Sequence, residues 1–396
     1  MENIRNVVEA EQASPQWPRL GDYETPKLVI DRRRLERNIA RMHARAAQLG
    51  VVIRPHIKTA KALAPVRMAV DPDRPRLTVS TLKEADFAAA AGFRDILYAV
   101  GMAPNKIEHA ARLRRDGVDL TLTLDNLDTV RSLGEAAARL GVTLPVMIEV
   151  DTDGHRSGLP PADPQLLQIA REISAYPQLR LKGVMAHAGD SYNCKSLDAI
   201  ADMAEVERSG AVAAAGRIRA EGFACPAVSV GSTPTALMAR SLHGVTEMRV
   251  GVYMFFDLVM AGLKVCSTDD IALSVLTTVI GHQVSKGWVI TDAGWMALSR
   301  DRGTQSQAAD QGYGLVCTED GRLLDDVLVT GTNQEHGIVA SRPGRPALDV
   351  TRFPVGTRLR VLPNHACATG AQHDRYLVVG DDGVTVLAEW PRINGW

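Results

Sequence analysis

Val52-Ile53-Arg54-Pro55-His56-Ile57-Lys58 is a short β-branched run that passes through a proline and closes on a lysine. It is the first of eight such runs, the others lying at 77–81, 95–100, 120–125, 146–151, 183–189, 227–232 and 247–256. Seven intervening segments have room for helices, most clearly 104–115, Leu127–Leu140 and 199–221. Just upstream, Leu35, Ile39, Met42 and Ala46 recur at three- and four-residue spacing, Arg and Glu cover the opposite face, and Gly50 ends the pattern. That is an amphipathic helix lying on a sheet. Strands alternating with helices eight times at regular spans predict a closed (β/α)8 barrel rather than an open doubly wound sheet.

Beyond about Ser267 the helical period fades, and β-rich runs at 273–279, Trp288–Thr291, 327–330, Arg358–Leu362 and 376–379 are separated by Gly and Asp turns. The expected division is a leader at 1–24, a barrel at 25–266 and a mostly-β domain at 267–396. The leader, with Pro15 and Pro18 around Trp17, is expected to contribute no core.

With 45% apolar and 23% charged residues among 396, disorder, collagen and small disulfide scaffolds are excluded. Lys plus Arg 45 against Asp plus Glu 46 gives a net charge of -1 with the signs interspersed, which argues against nucleic acid and for a small-molecule partner. No run approaches the roughly 18 apolar residues a membrane span needs, and Met1-Glu2-Asn3-Ile4-Arg5 lacks a signal-peptide pattern. Five cysteines, an odd number without a C-x-x-C pair, suit a reducing compartment. No membrane partner and a cytoplasmic location are expected.

In such a barrel the catalytic groups stand at the C-terminal ends of the strands. Those positions hold Lys58, Arg156 within Asp151-Thr152-Asp153-Gly154-His155-Arg156-Ser157-Gly158, His187, Gly231-Ser232-Thr233, and Arg249-Val250-Gly251-Val252. Each has an ordinary reading: a snorkelling lysine, a surface arginine, a hydrogen-bonded core histidine, a plain turn. Together they fit one ligand, pyridoxal 5'-phosphate, which needs an amine for a Schiff base, a flat ring partner and backbone donors for a phosphate.

Four segments carry a family resemblance: Pro55-His56-Ile57-Lys58-Thr59, the segment 151–158, Gly-Ser-Thr-Pro-Thr at 231–235, and Pro-Asn-His-Ala-Cys at 363–367. They closely resemble the D-serine dehydratase and D-threonine aldolase family, pyridoxal phosphate enzymes of alanine-racemase-like architecture (fold type III), and the likeness runs from about 25 to 396. The resemblance implies that Lys58 bears the cofactor covalently, that Arg156 meets its phenolic oxygen and that His187 lies beside the pyridine face. It implies Tyr192, Ser232, Thr233, Gly251 and Val252 around the phosphate, and Arg249 at the ring nitrogen. It also assigns the early strand 28–30 to the β domain.

His365-Ala366-Cys367 is the second constellation. On an extended segment side chains two apart share a face and can grip one ion, although a bare His-x-Cys pair is ordinarily structural. The resemblance makes it a zinc pair, with manganese or cobalt as alternatives, where the related aldolases place His-x-Asp. The implied activity is dehydration of a 3-hydroxy D-amino acid by a homodimer, with 3-hydroxy-D-aspartate giving oxaloacetate and ammonia as the leading expectation. D-serine dehydration and cleavage of D-threonine or another 3-hydroxy-D-amino acid are the alternatives, and a non-catalytic pyridoxal phosphate carrier is the reading from a different class. Arg300 and Arg302 are candidates for a second substrate carboxylate, and His336 carries no assigned role.

Overall fold

The computed structural model describes residues 17–396; residues 1–16, including Pro15 of the expected leader, lie outside the described residues. Contacts divide the chain into two compact units: the chain up to Ile39 with Val252–Asn394, and Ala40–Gly251 with Gly395–Trp396.

Strand β1 (Lys27–Asp31) leads into helix Arg32–Leu49. The strands β2 (Val52–Pro55), β3 (Arg76–Val79), β4 (Asp95–Gly101), β5 (Asp119–Leu124), β6 (Leu144–Val150), β7 (Leu179–Ala186), β8 (Ala227–Val230) and β9 (Glu247–Val250) follow. They form an eight-stranded sheet in the order β2-β9-β8-β7-β6-β5-β4-β3. Its ladders are parallel, and the ring is closed by the parallel bridge between His56, just past the end of β2, and Thr78 of β3. The chain is therefore a (β/α)8 barrel in this part, with a helix in each of the seven connections. All seven residues of β6 are buried, as expected where one face looks into the barrel and the other meets helices. Helix Leu127–Leu140 has the bounds the sequence predicts, because Asn126 accepts the Thr129 N–H at its start and Gly141 takes the left-handed conformation (φ +64°) at its end.

The remaining strands are β10 (Leu273–Gln283), β11 (Trp288–Thr291), β12 (Leu315–Thr318), β13 (Leu323–Thr332), β14 (Gly337–Ser341), β15 (Arg358–Leu362), β16 (Arg375–Val379) and β17 (Val386–Pro391). With β1 they make a nine-stranded sheet, β11-β14-β13-β12-β15-β10-β1-β16-β17, in which β10 also pairs β11. Six strands thus close on themselves, while β1, β16 and β17 extend the sheet from β10. A bulge between Val279 and Gly281 lets β10 bend from one set of partners to the other. Strands β12, β14 and β17 add to the runs read from the sequence.

The leader departs from expectation. Leu20 is fully buried in a cluster with Val29, Leu276, Leu377, Val379 and Val386, and its N–H donates to the Val384 carbonyl at 2.9 Å. A single apolar residue between Arg19 and Gly21 has no period, so only packing reveals it as core.

Candidate active site

The residues singled out on the barrel lie on its C-terminal rim. Lys58 is exposed, in the turn that follows β2, and its backbone N–H donates to His56 Nδ1 at 3.4 Å. The other ring nitrogen, Nε2, lies 3.3 Å from Ser80 Oγ. Burial first, then the positive charges of Lys58 and Arg249 and the neighbouring His187, hold the His56 pKa well below the usual histidine value. A neutral imidazole therefore sits under the lysine.

His187 follows β7. Its Nδ1–H donates to the Gly231 carbonyl at 2.8 Å, which fixes the tautomer and leaves Nε2 without a proton. Burial, opposed by that bond and reinforced by Lys58, Arg249 and Arg156, lowers its pKa to about 3. The ring is thus an uncharged plane at neutral pH, suited to lie against an aromatic heterocycle. The Tyr192 ring stands 6.4 Å away, tilted 48°. Arg249 is buried in β9, donating through Nη1 to Ser229 Oγ at 2.7 Å and through Nη2 to the Ala186 carbonyl. Ser229 in turn donates to Glu247 at 2.8 Å, and Glu247 accepts Arg54 Nε at 2.9 Å, so Arg249 ends a buried charged row.

The Gly231-Ser232-Thr233 turn is built for close approach. Gly231 has φ +139°, and a Cβ there would stand 2.4 Å from the Arg249 carbonyl oxygen. Ser232 caps helix Thr233–Met238, its Oγ accepting the Thr235 N–H at 3.2 Å and lying 3.0 Å from Ser191 Oγ. Thr233 Oγ1 is buried with no hydrogen-bond partner among the described residues. A Cβ on Gly251 would come within 2.8 Å of the His56 carbonyl oxygen and 3.0 Å of Thr59 Oγ1. An unspent buried hydroxyl beside a bare turn is what an anionic phosphate would complete, so the residues present fit the cofactor. Val252, the next residue, opens a 3-10 turn, Val252–Met254, in the other compact unit.

Arg156 stands largely exposed, 3.7 Å from the buried Glu149. Glu149 was absent from the sequence reading, as was Glu207, a buried carboxylate on helix Leu197–Ala220. A glutamate in the apolar phase of that helix, between Ala204 and Ala211, was the available signal.

In the β domain the His365/Cys367 pair is arranged differently from expectation. His365 is the extended residue that precedes helix Ala366–Gly370, and Cys367 lies in its first turn, so the two share a face through a helix start rather than a strand. The cause is the buried Asp257, which accepts the Ala366 N–H at 3.0 Å and turns the chain. His365 Nδ1 lies 2.6 Å from Asp301 Oδ2. Burial alone would lower the His365 pKa, but the bonds to Asp301 and Cys367 and the charge of Asp257 push it up to about 11. Such an excess of anionic groups around one imidazole calls for a cation, which fits a metal held by His365 and Cys367. Among the described residues no three His, Cys, Asp or Glu side chains converge on one point. That leaves a two-residue site with open positions.

His336 is exposed in the turn between β13 and β14, where its carbonyl accepts the Asn333 N–H at 2.8 Å. Arg300 stacks on Trp295 and Arg302 on Tyr313, and Arg302 also pairs with Asp310 at 2.5 Å.

Comparison with known proteins follows the same two-part division. Residues 30–259 match the family "Alanine racemase, N-terminal domain", and residues 272–379 match "Putative serine dehydratase domain". The chain is 52% identical over 375 residues to the D-threo-3-hydroxyaspartate dehydratase of Delftia sp. strain HT23, covering 94% of this chain and 98% of that one. The solved structure of that enzyme superposes with a TM-score of 0.92 over 96% of this chain and all of the other. A variant of it with a cysteine replaced by alanine, solved in a metal-free form, gives 0.92 at 51% identity over 96% of this chain and 100% of that chain. The D-serine dehydratase of Dictyostelium discoideum is 28% identical over 92% of this chain and 95% of its own length. The chain therefore belongs to the alanine-racemase-like family of amino-acid dehydratases, with an alanine racemase barrel followed by a serine dehydratase domain.

Proposed function

We propose that the chain is a pyridoxal phosphate- and zinc-dependent dehydratase that eliminates water from 3-hydroxy-D-aspartate, yielding oxaloacetate and ammonia. The observation that carries this reading is the 52% identity, across both domains, to a D-threo-3-hydroxyaspartate dehydratase. When bound, pyridoxal phosphate supplies an electron sink for the charge left at the substrate α-carbon. A zinc ion supplies a Lewis acid for the departing β-hydroxyl, which is otherwise a poor leaving group.

The chain's own residues do the rest. Lys58 Nζ would hold the cofactor covalently and, as a free amine, would be the base that takes the α-proton. His187, neutral and fixed by Gly231, offers its face to the ring without adding charge. Thr233 Oγ1, Ser232 Oγ, Tyr192 and the backbone at Gly251 and Val252 would hold the phosphate, Arg156 would meet the phenolic oxygen, and Arg249 would serve the ring nitrogen. His365 and Cys367 hold the metal, with Asp301 fixing the histidine through Nδ1. The second chain of a homodimer and a cytoplasmic location belong to the same reading.

Aldol cleavage is the second reading, since it uses the same cofactor and metal. The cysteine at 367, in place of the aldolases' aspartate, favours elimination. A pyridoxal phosphate carrier is disfavoured by the match of residues 272–379 to a dehydratase domain. A substrate panel assayed with zinc tests the proposal: 3-hydroxy-D-aspartate should give oxaloacetate with a higher kcat/KM than D-serine gives pyruvate, and L-isomers should be inert. A higher kcat/KM for cleavage of D-threonine to glycine and acetaldehyde overturns it.

A further inference from the structure

Helix Leu197–Ala220 buries an apolar stripe that includes Ile200, Ala204, Ala211 and Ile218, and in the same phase it buries Glu207. A carboxylate at such a position is costly unless its oxygens are satisfied. Here three donors satisfy it: the backbone N–H groups of Ala188 at 3.0 Å and Gly231 at 2.9 Å both donate to Oε1, and Thr235 Oγ1 donates to Oε2 at 2.9 Å. Burial raises its pKa while these bonds and Arg249 lower it.

The donors come from two different strand ends. Ala188 is the neighbour of His187 beyond β7, Gly231 opens the turn beyond β8, and Thr235 lies in the first turn of the helix that follows it. The ladder between those strands runs from Gly183↔Ala227 to Met185↔Ser229, two residues short of the turn. Past that point Glu207 takes over the role of the ladder. Gly231 is gripped on both sides, since its N–H goes to Glu207 and its carbonyl accepts from His187. Thr235 relays the contact onward, its Oγ1 lying 3.0 Å from Ser232 Oγ and accepting the Ser232 N–H at 3.2 Å.

We propose that Glu207 is a positioning residue that sets the spacing between His187 and the Ser232–Thr233 turn, and thereby between the ring and the phosphate of one pyridoxal phosphate. The inference rests on the reading of the barrel rim as the cofactor site. A ligand that carries both ring and phosphate reads this spacing, whereas pyridoxal, which has no phosphate, does not.

The test uses the full chain freed of cofactor and titrated with pyridoxal phosphate and with pyridoxal, followed by absorbance and by borohydride fixation to Lys58. Glu207→Ala should weaken pyridoxal phosphate about tenfold or more while leaving pyridoxal within about twofold, because charge-assisted bonds of this kind are worth that much. Glu207→Gln, which keeps an acceptor for both N–H groups, should recover most of the loss. Should the alanine variant fail to fold, Glu207→Asp, shorter by one methylene, should lower the same ratio. Affinities for both ligands falling together with the melting temperature would reduce Glu207 to a stability role and overturn the proposal, as would an unchanged ratio. A wild-type chain that takes no label at Lys58 fails the cofactor reading itself, and the proposal falls with it.

Discussion

Asp301 Oδ2 and His365 Nδ1 lie 2.6 Å apart, so one ring nitrogen of His365 is already spent on a carboxylate. In the proposed reading the remaining nitrogen, Nε2, is the one left to a metal held together with Cys367. Carboxylates of this kind orient a ligand and raise its basicity, and their loss typically costs roughly 10–100-fold in metal affinity. Asp301→Ala should weaken zinc by that order in a titration against a chromophoric chelator, with the cofactor absorption retained, and Asp301→Asn should lose less. Unchanged zinc affinity in Asp301→Ala would show the contact to be incidental.

Lys58 lies in the Pro-His-Ile-Lys-Thr segment that follows β2 on the rim of the barrel. The purified protein should be yellow, and borohydride should fix the cofactor to this residue alone. Peptide mapping that finds the label on another lysine removes the assignment. Lys58→Ala should lose turnover by several orders of magnitude, since covalent attachment and base disappear together.

Cys367 is the residue on which the proposed choice of elimination over aldol cleavage rests. Chelation should abolish dehydration while the yellow absorption persists, and added zinc should restore it. Cys367→Ala should be inactive and not rescued. Cys367→Asp keeps a charged ligand but hardens the site toward manganese or magnesium, and should lower dehydration more than any residual aldol cleavage. Full activity in zinc-free Cys367→Ala would make the pair structural.

The neutral His187 ties stability to pH. Its folded pKa is about 3 against an ordinary 6.5, so between those values the unfolded chain binds a proton that the native chain refuses. Stability must fall as the pH drops through that window, and His56, lowered in the same direction, adds to the fall. His187→Gln, which retains a donor for the Gly231 carbonyl, should lose less melting temperature than wild type between about pH 6.5 and 4. Parallel curves for the two proteins would contradict a neutral buried His187.

Leu20, the first residue of the single-turn 3-10 helix Leu20–Asp22, is fully buried against β1, β10, β16 and β17. Leu20→Ala should destabilise the protein by roughly 2–5 kcal/mol in denaturant unfolding, the range for a large-to-small change in a packed core. A loss below about 0.5 kcal/mol, typical of surface positions, would place it outside the core.

The barrel was legible in the sequence because its signals are local. A run such as Val52 to Lys58 shows strand character within a few residues, Asn126 and Gly141 bracket a helix, and the repetition of the unit eight times limits the topology. The run at 247–256 was read too long because Val252-Tyr253-Met254-Phe255-Phe256 is as apolar as a strand, yet β9 stops at Val250 and the chain turns at Gly251. Apolar residues report burial, not the backbone geometry in which they are buried.

Site residues followed the same division. Lys58, Arg156, His187, Ser232 and Thr233 enter the proposal because strand ends mark the catalytic rim of a barrel, and His365 and Cys367 enter it through the motif that carries the family resemblance. Asp301 carries no such mark, and Glu207 only that of a carboxylate in an apolar helix phase, because their partners lie far along the chain: Gly231 is 24 residues from Glu207, and His365 is 64 residues from Asp301. The sequence by itself determined the count and order of the elements, which depend on periodicity and turn chemistry. The tertiary structure alone decided which carboxylate satisfies which N–H and imidazole, because a hydrogen bond between segments distant in the chain depends on where those segments meet and leaves no period in the sequence.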